Sequence, residues 1–328
     1  MDLLVRLRTF LGTDAGLVRR FIDESLRSDI GLLNEANARI LSHQGKLMRP
    51  GVALLTARSF LHGPAGERAC RYAAAAELLH NATLLHDDVA DASSERRGLP
   101  TTASILGPNA SVLLGDFWLV KAINLVLGAD CYSERLIRVF AKTLSDLAEG
   151  ELLQLEKAFS GDTTQEDYLR IIYSKTASLF EASCVSGAIA AEAPEEMVAA
   201  ALEYGRCLGM AFQIRDDMLD YEASPDLGKP VGHDLAEKKI TLPLLGALRN
   251  AGEAQEQRIR AMVCRVDAEP DNIGLIRAFV AENGGMEYAS EMLFSYVSQA
   301  KAALSAFPEG EARELLSEVA DFVASRKI

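Results

Sequence analysis

The stretch HNATLLHDDVADASSERRGLP, residues 80 to 100, places three aspartates at the end of an apolar helical segment and two arginines just beyond them. In a helix, residues four apart share a face, so Asp87 and Asp91 point the same way with Asp88 beside them. Like charges one turn apart destabilise an isolated helix, and neighbouring carboxylates raise each other's pKa. Mg²⁺ binds through one or two carboxylates together with water and substrate phosphate. The stretch therefore predicts a magnesium site. The two arginines beyond it can hold the phosphate of a substrate bound to that metal.

The same spacing recurs in AFQIRDDMLDYE, residues 211 to 222, as Asp216, Asp217 and Asp220. A lone acidic triplet on a helix is as compatible with a solvated face as with a metal site, because short motifs also occur by chance. Two copies with the same spacing favour the metal site. We therefore predict that each cluster ends a long helix and that the two clusters face each other across a cavity.

Composition limits the partners of this chain of 328 residues, which has a formal net charge of -13. Such a charge argues against binding nucleic acid or anionic lipid through a general basic surface, so phosphate recognition must be local. Five scattered cysteines without a C-x-x-C pair suit a reducing cytosol. We find no signal-like or membrane-spanning run and expect a soluble cytoplasmic protein, with peripheral membrane contact if its product is greasy.

Helical periodicity runs through nearly the whole sequence, and strand-like alternation is absent. We therefore predict an all-α fold, one domain over residues 1–328 with roughly ten or more helices around a central cavity. GLPTTASILGPNAS (98–111) is predicted to be a loop, and residues 222–243 a long functional loop. The predicted helices are 16–42, one beginning at Pro50, 66–92, 109–128, 132–158, 164–192, 195–222, and four or five after Leu242.

Six segments, which include those carrying the two aspartate clusters, together resemble one protein family. ELLHNATLLHDDVAD, ERRGLPT, GDFWLVKA, YSKTASLFEAS, LGMAFQIRDDMLDY and LGKPVGHDLAEKKITLP occur in the order and approximate spacing of the trans-polyprenyl (E-isoprenyl) diphosphate synthases. The chain resembles that family from GKLMRP at 45–50 to ITLP at 240–243. The resemblance implies the isoprenoid synthase fold, a homodimer, and a prenyltransferase that joins an allylic diphosphate to isopentenyl diphosphate head to tail. We expect a medium- or long-chain member.

The resemblance also implies roles for individual residues. Three Mg²⁺ ions would be bound by Asp87, Asp88, Asp91, Asp216, Asp217 and Asp220. The allylic diphosphate would be held by Arg96, Lys175, Thr176, Gln213, Lys229 and Lys239. Isopentenyl diphosphate would be held by Lys46, Arg49, His80 and Arg97. The catalytic set would be Asp87, Asp88, Asp91, Lys175, Gln213 and Asp216.

Several of these residues carry no signal alone. His80 would more often be an ordinary helix histidine, Lys175 a surface charge, and Lys46 with Arg49 a solvated turn. Glu149, Glu151 and Glu156 are interpreted as an exposed acidic face beside Gln154, a candidate for the cavity. His86 and Asp116 have no role that we can derive. Lys238 stands where the family more commonly has Gly, and the register favours Lys239 as the phosphate ligand.

The resemblance also implies that product length depends on the side chains one turn before the first cluster. Ala82 and Thr83 are small, so the pocket stays open, and a helix of about twenty residues offers roughly 30 Å of groove, enough for about 30 to 40 carbons. Trp118, Leu119 and Ala122 are either the floor of that groove or plain core. The alternatives are a geranylgeranyl or farnesyl diphosphate synthase, a regulatory subunit of a heteromeric synthase, and a structural bundle. The N-D-x-x-S-x-x-x-E motif of terpene cyclases is absent.

Overall fold

The computed structural model describes residues 3–42, 47–96, 98–129, 133–222 and 232–326, which are predominantly helical. The all-α prediction is confirmed. The helices are α1 Leu3–Ser25, α2 Gly31–Ser42, α3 Met48–Phe60, α4 Gly66–Ala90, α5 Thr102–Leu106, α6 Pro108–Leu127, α7 Ser133–Ser160, α8 Gln165–Ile172, α9 Ser178–Ala190, α10 Glu195–Tyr221, α11 His233–Ala236, α12 Leu242–Arg249, α13 Glu253–Cys264, α14 Asn272–Glu282, α15 Gly285–Ala303 and α16 Glu311–Ser325. A π-helical turn spans Tyr173–Ala177, and Leu304–Ala306 is a 3₁₀ turn.

The helix predicted over residues 16–42 is wrong, because two helices, α1 and α2, occupy that part of the chain. Polar side chains hold the break between them. The backbone N–H of Ser28 donates to Asn34 Oδ1 at 3.1 Å, and the N–H of Ile30 donates to Ser28 Oγ at 3.2 Å. Ser and Asn favour such local side-chain bonds over helix continuation.

The loop predicted over residues 98–111 is also largely structured. Strands β1 (Glu95–Arg96) and β2 (Leu99–Pro100) pair antiparallel, and α5 follows at once. Thr101 caps α5 by accepting a hydrogen bond from Ser104 N at 3.1 Å. The predicted helix over 164–192 is interrupted by the π-helical turn, whereas the helices predicted over 66–92, 109–128 and 195–222 match α4, α6 and α10 closely.

The chain divides into two compact units by its internal contacts. Unit 1 comprises residues 1–141, 182–202 and 306–316, and unit 2 comprises residues 142–181, 203–305 and 317–328. The unit boundaries at 141/142, 181/182, 202/203 and 316/317 fall within helices α7, α9, α10 and α16. The single domain stays a prediction.

In unit 1, helix α4 is buried along most of its length. Its alanines 73 to 76 are at most 1% exposed, and small side chains let neighbouring helices approach closely. Helix α6 packs against the end of α4, where Ser111 Oγ donates to the carbonyl of Leu85 at 2.8 Å. A Cβ on Gly115 would lie 2.3 Å from His86 Nε2, so a larger residue there would displace the imidazole. The packing fixes the end of α4 that carries the first aspartate cluster.

In unit 2, the π-helical turn is held from two sides by glycines. A Cβ on Gly150 of α7 would lie 2.6 Å from Ser174 Cβ, and one on Gly209 of α10 would lie 2.4 Å from Ala177 Cα. Helices α7 and α10 therefore approach the turn more closely than any larger residue would allow. π-Helical turns occur frequently at functional sites. This one carries Lys175 and Thr176.

Candidate functional site

Asp217, near the end of α10, is the centre of a hydrogen-bonded chain in unit 2. Its side chain is buried, with Oδ2 accepting from the hydroxyl of Tyr168 at 2.7 Å and Oδ1 accepting from Gln213 Nε2 at 2.8 Å. The other end of the Gln213 amide, Oε1, accepts from Thr176 Oγ1 at 2.7 Å. Thr176 and Tyr168 thus fix both the amide and the carboxylate from helices other than α10.

Negative charge accumulates around this chain. Burial raises the pKa of Asp217 well above its usual range, and Asp234 and Asp216 raise it further. Burial, followed by the charge of Asp220, raises the pKa of Asp234 to about 6. These groups disfavour one another's ionised form, and a divalent cation among them would relieve that repulsion. The set consists of carboxylate oxygens, the ligands that suit Mg²⁺, so the residues present fit the ion that the family implies.

The other two aspartates of the second cluster are held by separate partners. Asp216 Oδ1 accepts from Arg326 Nη2 at 2.8 Å. Both oxygens of Asp220 accept backbone N–H groups at 3.0 Å, from His233 and Asp234 at the start of α11. Within the described residues, no three His, Cys, Asp or Glu side chains form a group that could hold a metal ion.

A cavity of about 80 Å³ opens beside Asp217. At roughly 30 Å³ per water molecule, it accommodates a few waters or an ion rather than a prenyl chain. Gln154, Lys175, Gln213 and Lys239 line it, together with Thr163, Tyr168, Ile171, Ile172, Asp217, Asp234, Ile240 and Thr241. The expectation that Gln154 faces a cavity is thus met.

Both predicted lysines of this cavity are paired with carboxylates. Lys175 Nζ lies 2.6 Å from Glu151 Oε1, and Lys239 forms an ion pair with Glu237. The interpretation of Glu151 as part of an exposed acidic face is wrong, because its side chain is only 26% exposed and pairs with Lys175. Glu149 is exposed as expected and pairs with Arg170 at 3.4 Å.

Lys238 differs from Lys239 in both direction and backbone. It forms an ion pair with Asp267 and does not line the cavity, whereas Lys239 does. Its φ of 61° lies in the left-handed region, where a side chain is strained and glycine is not. This explains why Gly is commoner in the family at this position, and it supports Lys239 as the residue that faces the site.

The first cluster, in unit 1, has different surroundings. Asp88 is buried and accepts from Arg96 Nε at 2.8 Å. Asp91 is the C-terminal cap residue of α4 and is exposed. Helix α4 ends there because Ala92 turns left-handed with φ 49°. Negative charge at this helix end opposes the macrodipole, which is costly without a cation nearby.

The predicted chain-length residues lie one turn earlier. Ala82 is fully buried, and Thr83 is half-buried with Oγ1 donating to the carbonyl of His80 at 2.8 Å. Trp118 is fully buried on α6, and its Nε1 donates to Asn37 Oδ1 at 2.8 Å. Its indole is therefore part of the packed core of unit 1, and its role as a pocket floor stays a prediction.

Arg49 is half-buried in the first turn of α3, and His80 is half-buried on α4. Lys46, Arg97 and Lys229 lie outside the described residues. Unit 2 thus brings Lys175, Thr176, Gln213, Lys239 and the second cluster together, and unit 1 joins Arg96 to the first.

Four residues beside the second cluster were missed by sequence reasoning: Tyr168, Asp234, Glu237 and Arg326. Asp234 and Glu237 lie in the GHDLAEKK segment. The sequence signal for a functional role was that this segment belongs to a long polar loop. Tyr168 and Arg326 come from helix α8 and from the residue after α16, and nothing in the local sequence distinguishes them.

The chain is similar to known proteins in both sequence and structure. The polyprenyl synthetase family model matches residues 31–279. The octaprenyl diphosphate synthase of Escherichia coli is 39% identical over 98% of this chain and 99% of its own. The crystal structure of a decaprenyl diphosphate synthase from Rhodobacter capsulatus has a TM-score of 0.91 at 35% identity and covers 99% of both chains.

A polyprenyl synthase from Caulobacter crescentus, solved in complex with calcium and isoprenyl diphosphate, has a TM-score of 0.89 at 34% identity and covers 99% of this chain and 98% of its own. The octaprenyl and decaprenyl relatives favour the predicted medium- to long-chain class over the shorter alternatives. The matches run through both units and both aspartate clusters. The chain belongs to the polyprenyl synthetase family and is a prenyltransferase enzyme of isoprenoid biosynthesis.

Proposed function

We propose that this enzyme condenses an allylic diphosphate with isopentenyl diphosphate, in a Mg²⁺-dependent head-to-tail reaction that is repeated to a medium- or long-chain all-trans polyprenyl diphosphate. The observation that carries the proposal is the Thr176–Gln213–Asp217–Tyr168 chain, which presents a buried carboxylate to a cavity lined by two lysines. Anionic oxygens beside ammonium groups suit a metal diphosphate. The Caulobacter relative, solved with calcium and isoprenyl diphosphate, supports the same ligand class.

The reaction begins when the C1–O bond of the allylic diphosphate breaks and its electron pair leaves with the diphosphate. Bound Mg²⁺ would neutralise the charge that develops on the departing oxygens. The aspartates of the two clusters would bind up to three Mg²⁺ ions. Lys175 and Lys239 would exchange their carboxylate partners, Glu151 and Glu237, for diphosphate oxygens, which keeps each ammonium paired before and after binding.

The allylic cation is then attacked by the double bond of isopentenyl diphosphate. A C–C bond forms, a proton leaves the adjacent carbon, and the product is one isoprene unit longer. Lys46, Arg49, His80 and Arg97 would hold the diphosphate of the attacking substrate, while Arg96, Thr176, Gln213 and Lys229 would complete the allylic site. The cation would have to be shielded from water, which would otherwise quench it.

Product length would follow from the space beside Ala82 and Thr83. The methyl of Ala82 is fully buried, so a larger side chain there would have to occupy the room of its neighbours. Small side chains at both positions would leave room along α4 for a growing chain.

We further propose that two copies of the chain form a homodimer and that the two units of each copy work as one domain. Helix α6 supports the dimer, because it exposes an apolar face made of Val112, Leu113, Val120, Ile123 and Leu127, which are 37%, 68%, 53%, 39% and 57% exposed. Exposed apolar patches mark interaction sites, and this one surrounds the exposed carboxylate of Asp116. Sedimentation of Leu113→Glu/Val120→Glu beside the native chain tests this. A monomeric native chain would contradict the homodimer, and a dimer in both samples would contradict an interface on α6.

The apolar character of α6 also bears on membranes. The expectation that no run is long and apolar enough to span a membrane is wrong for α6. Among the described residues it is the one helix that meets this test by length and composition, and 39% of its apolar window is buried. We propose a cytoplasmic enzyme whose contact with a membrane is peripheral and serves product release. Of the cysteines in the described ranges, Cys264 is exposed and the other three are buried as free thiols, which suits a reducing compartment.

The proposed chemistry is tested by release of inorganic diphosphate. Purified enzyme with farnesyl and isopentenyl diphosphates should release it only with Mg²⁺ present, and chelation should stop the reaction reversibly. Release with farnesyl diphosphate alone would indicate hydrolysis, and no release with any allylic primer would refute the proposal.

A further inference from the structure

Arg326 follows the last turn of α16 and reaches the second aspartate cluster in unit 2. Its Nη2 donates to Asp216 Oδ1 at 2.8 Å and to the carbonyl of Phe212 at 3.0 Å. Phe212 and Asp216 lie one helical turn apart on α10, so a single guanidinium joins the backbone of one turn to the carboxylate of the next.

The guanidinium is anchored independently of Asp216. It stacks on the Phe212 ring at 3.8 Å from the centroid, and its own carbonyl accepts from Arg215 Nε at 2.9 Å. Arg215 is held in turn by Glu222 at 2.6 Å. The Arg326 side chain is 9% exposed, whereas that of Asp216 is 50% exposed. The buried arginine is therefore the fixed partner, and the exposed carboxylate is the group whose orientation it sets.

The charge of Arg326 also matters where it lies. Asp216 is surrounded by further carboxylates, since its charge disfavours ionisation of both Asp217 and Asp234. An arginine remains protonated at any working pH and so supplies a constant counter-charge. Lysine could supply the charge, but it lacks the planar group that stacks on Phe212 while donating sideways.

We infer that Arg326 is a positioning residue for magnesium: it holds Asp216 through Oδ1 and keeps that carboxylate oriented to bind the metal. The inference rests on the proposed function, because it takes Asp216 as a metal ligand. Groups that hydrogen-bond a ligating carboxylate typically contribute about 10- to 100-fold to metal affinity. Arg326 touches neither substrate nor metal in this account and acts through Asp216 alone.

The test is a metal titration of the full-length protein that does not depend on turnover. Mn²⁺ serves as the probe because it takes the same oxygen ligands and its free ion is counted by electron paramagnetic resonance. Titrations are run with and without inorganic diphosphate. Arg326→Gln should weaken Mn²⁺ binding about 10- to 100-fold, and Arg326→Lys should fall between it and the native chain.

Lys301→Gln is the matched control, because Lys301 pairs with Asp321 at 2.8 Å on the exposed surface of the same unit. It should leave Mn²⁺ affinity unchanged. Phe212→Leu keeps both charges and removes the ring on which Arg326 stacks, together with the contact of that ring with Phe180, so it should weaken binding by a smaller factor. If Arg326→Gln fails to fold, Phe212→Leu tests the inference in its place.

Unchanged or tighter Mn²⁺ binding by Arg326→Gln or Phe212→Leu would overturn the inference, and tighter binding would mean that Arg326 competes with the metal. Failure of the proposed function looks different. In that case the native chain itself, and not only the variants, would bind no Mn²⁺ with or without diphosphate.

Discussion

The two aspartate clusters share one spacing but differ in what neutralises them. The middle aspartate of each is buried to nearly the same extent, Asp88 at 5% and Asp217 at 4% exposed. Asp88 is paired with a cation, Arg96, whereas Asp217 is held by the neutral donors Tyr168 and Gln213. The buried aspartate of the first cluster is therefore paired directly with a cation. The cation of the second cluster, Arg326, pairs with Asp216 instead and leaves Asp217 among carboxylates whose charge a metal would compensate. Identical motifs thus acquire different electrostatics from the side chains that contact them.

The largest expected effect comes from removing the charge at the centre of the second cluster. Asp217→Ala should reduce turnover about 10³-fold or more, in line with the loss of one preorganised electrostatic group. It should also abolish the rise in melting temperature that Mg²⁺ with diphosphate produces. Asp321→Asn, an exposed aspartate of the same unit, is the control. Asp217→Ala with native turnover would remove the second cluster from the mechanism.

Breaking the ion pair of the first cluster tests the other half of the comparison. Arg96→Gln removes a cation from Asp88 and from the proposed allylic site, so KM for the allylic diphosphate should rise about tenfold, equivalent to about 1.4 kcal/mol of binding. Arg96→Lys should retain part of the affinity. Steady-state kinetics measure the change in KM. Arg138→Gln is the control, because Arg138 is exposed and pairs with Glu134. A fall in kcat with unchanged KM would contradict the assignment.

The first cluster's helix is also expected to set product length, a role that the second cluster's helix does not share. Ala82→Phe should shorten the product by at least one isoprene unit. Because Ala82 is fully buried, it should also lower the free energy of unfolding by about 1 to 3 kcal/mol. Thr83→Val, which conserves size, should leave the product unchanged. Mass spectrometry of the products measures chain length, and thermal melts measure the loss of stability. Unchanged product length in Ala82→Phe would refute the role of Ala82 in setting product length.

A smaller effect is expected from the neutral donors of the second cluster. Thr176→Val removes the hydrogen bond that orients the Gln213 amide, at a cost of about 1 kcal/mol. KM for the allylic diphosphate should therefore rise about fivefold with kcat nearly unchanged. Thr102→Val on the short helix α5 serves as the control. A loss of turnover as large as that of Asp217→Ala would instead give Thr176 a direct chemical role.

The smallest effect concerns the two adjacent lysines. Lys238→Gly removes strain from a residue at φ 61° and loses one ion pair, so stability should change by less than about 1 kcal/mol and kinetics should not change. Lys239→Gln should raise KM for the allylic substrate. The reverse pattern, with Lys238→Gly raising KM and Lys239→Gln silent, would transfer the ligand role to Lys238.

Much of this arrangement could be predicted from local sequence, and the rest depends on distant contacts. The aspartate-bearing helices α4 and α10 follow from periodicity, and Gln213 reaching Asp217 follows from helical spacing. The break between α1 and α2 depends on hydrogen bonds made by Ser28 and Asn34, which periodicity does not reveal. The π-helical turn depends on packing against Gly150 and Gly209. Arg326 lies far from Asp216 in sequence, and no local pattern joins them.

The most direct test of the account is the mass of the product. Purified enzyme with Mg²⁺, farnesyl diphosphate and excess isopentenyl diphosphate should yield a polyprenyl diphosphate of about 30 to 40 carbons, the length that roughly 30 Å of helix can accommodate. A product that stops at farnesyl or geranylgeranyl diphosphate under all substrate ratios would contradict the medium- to long-chain assignment.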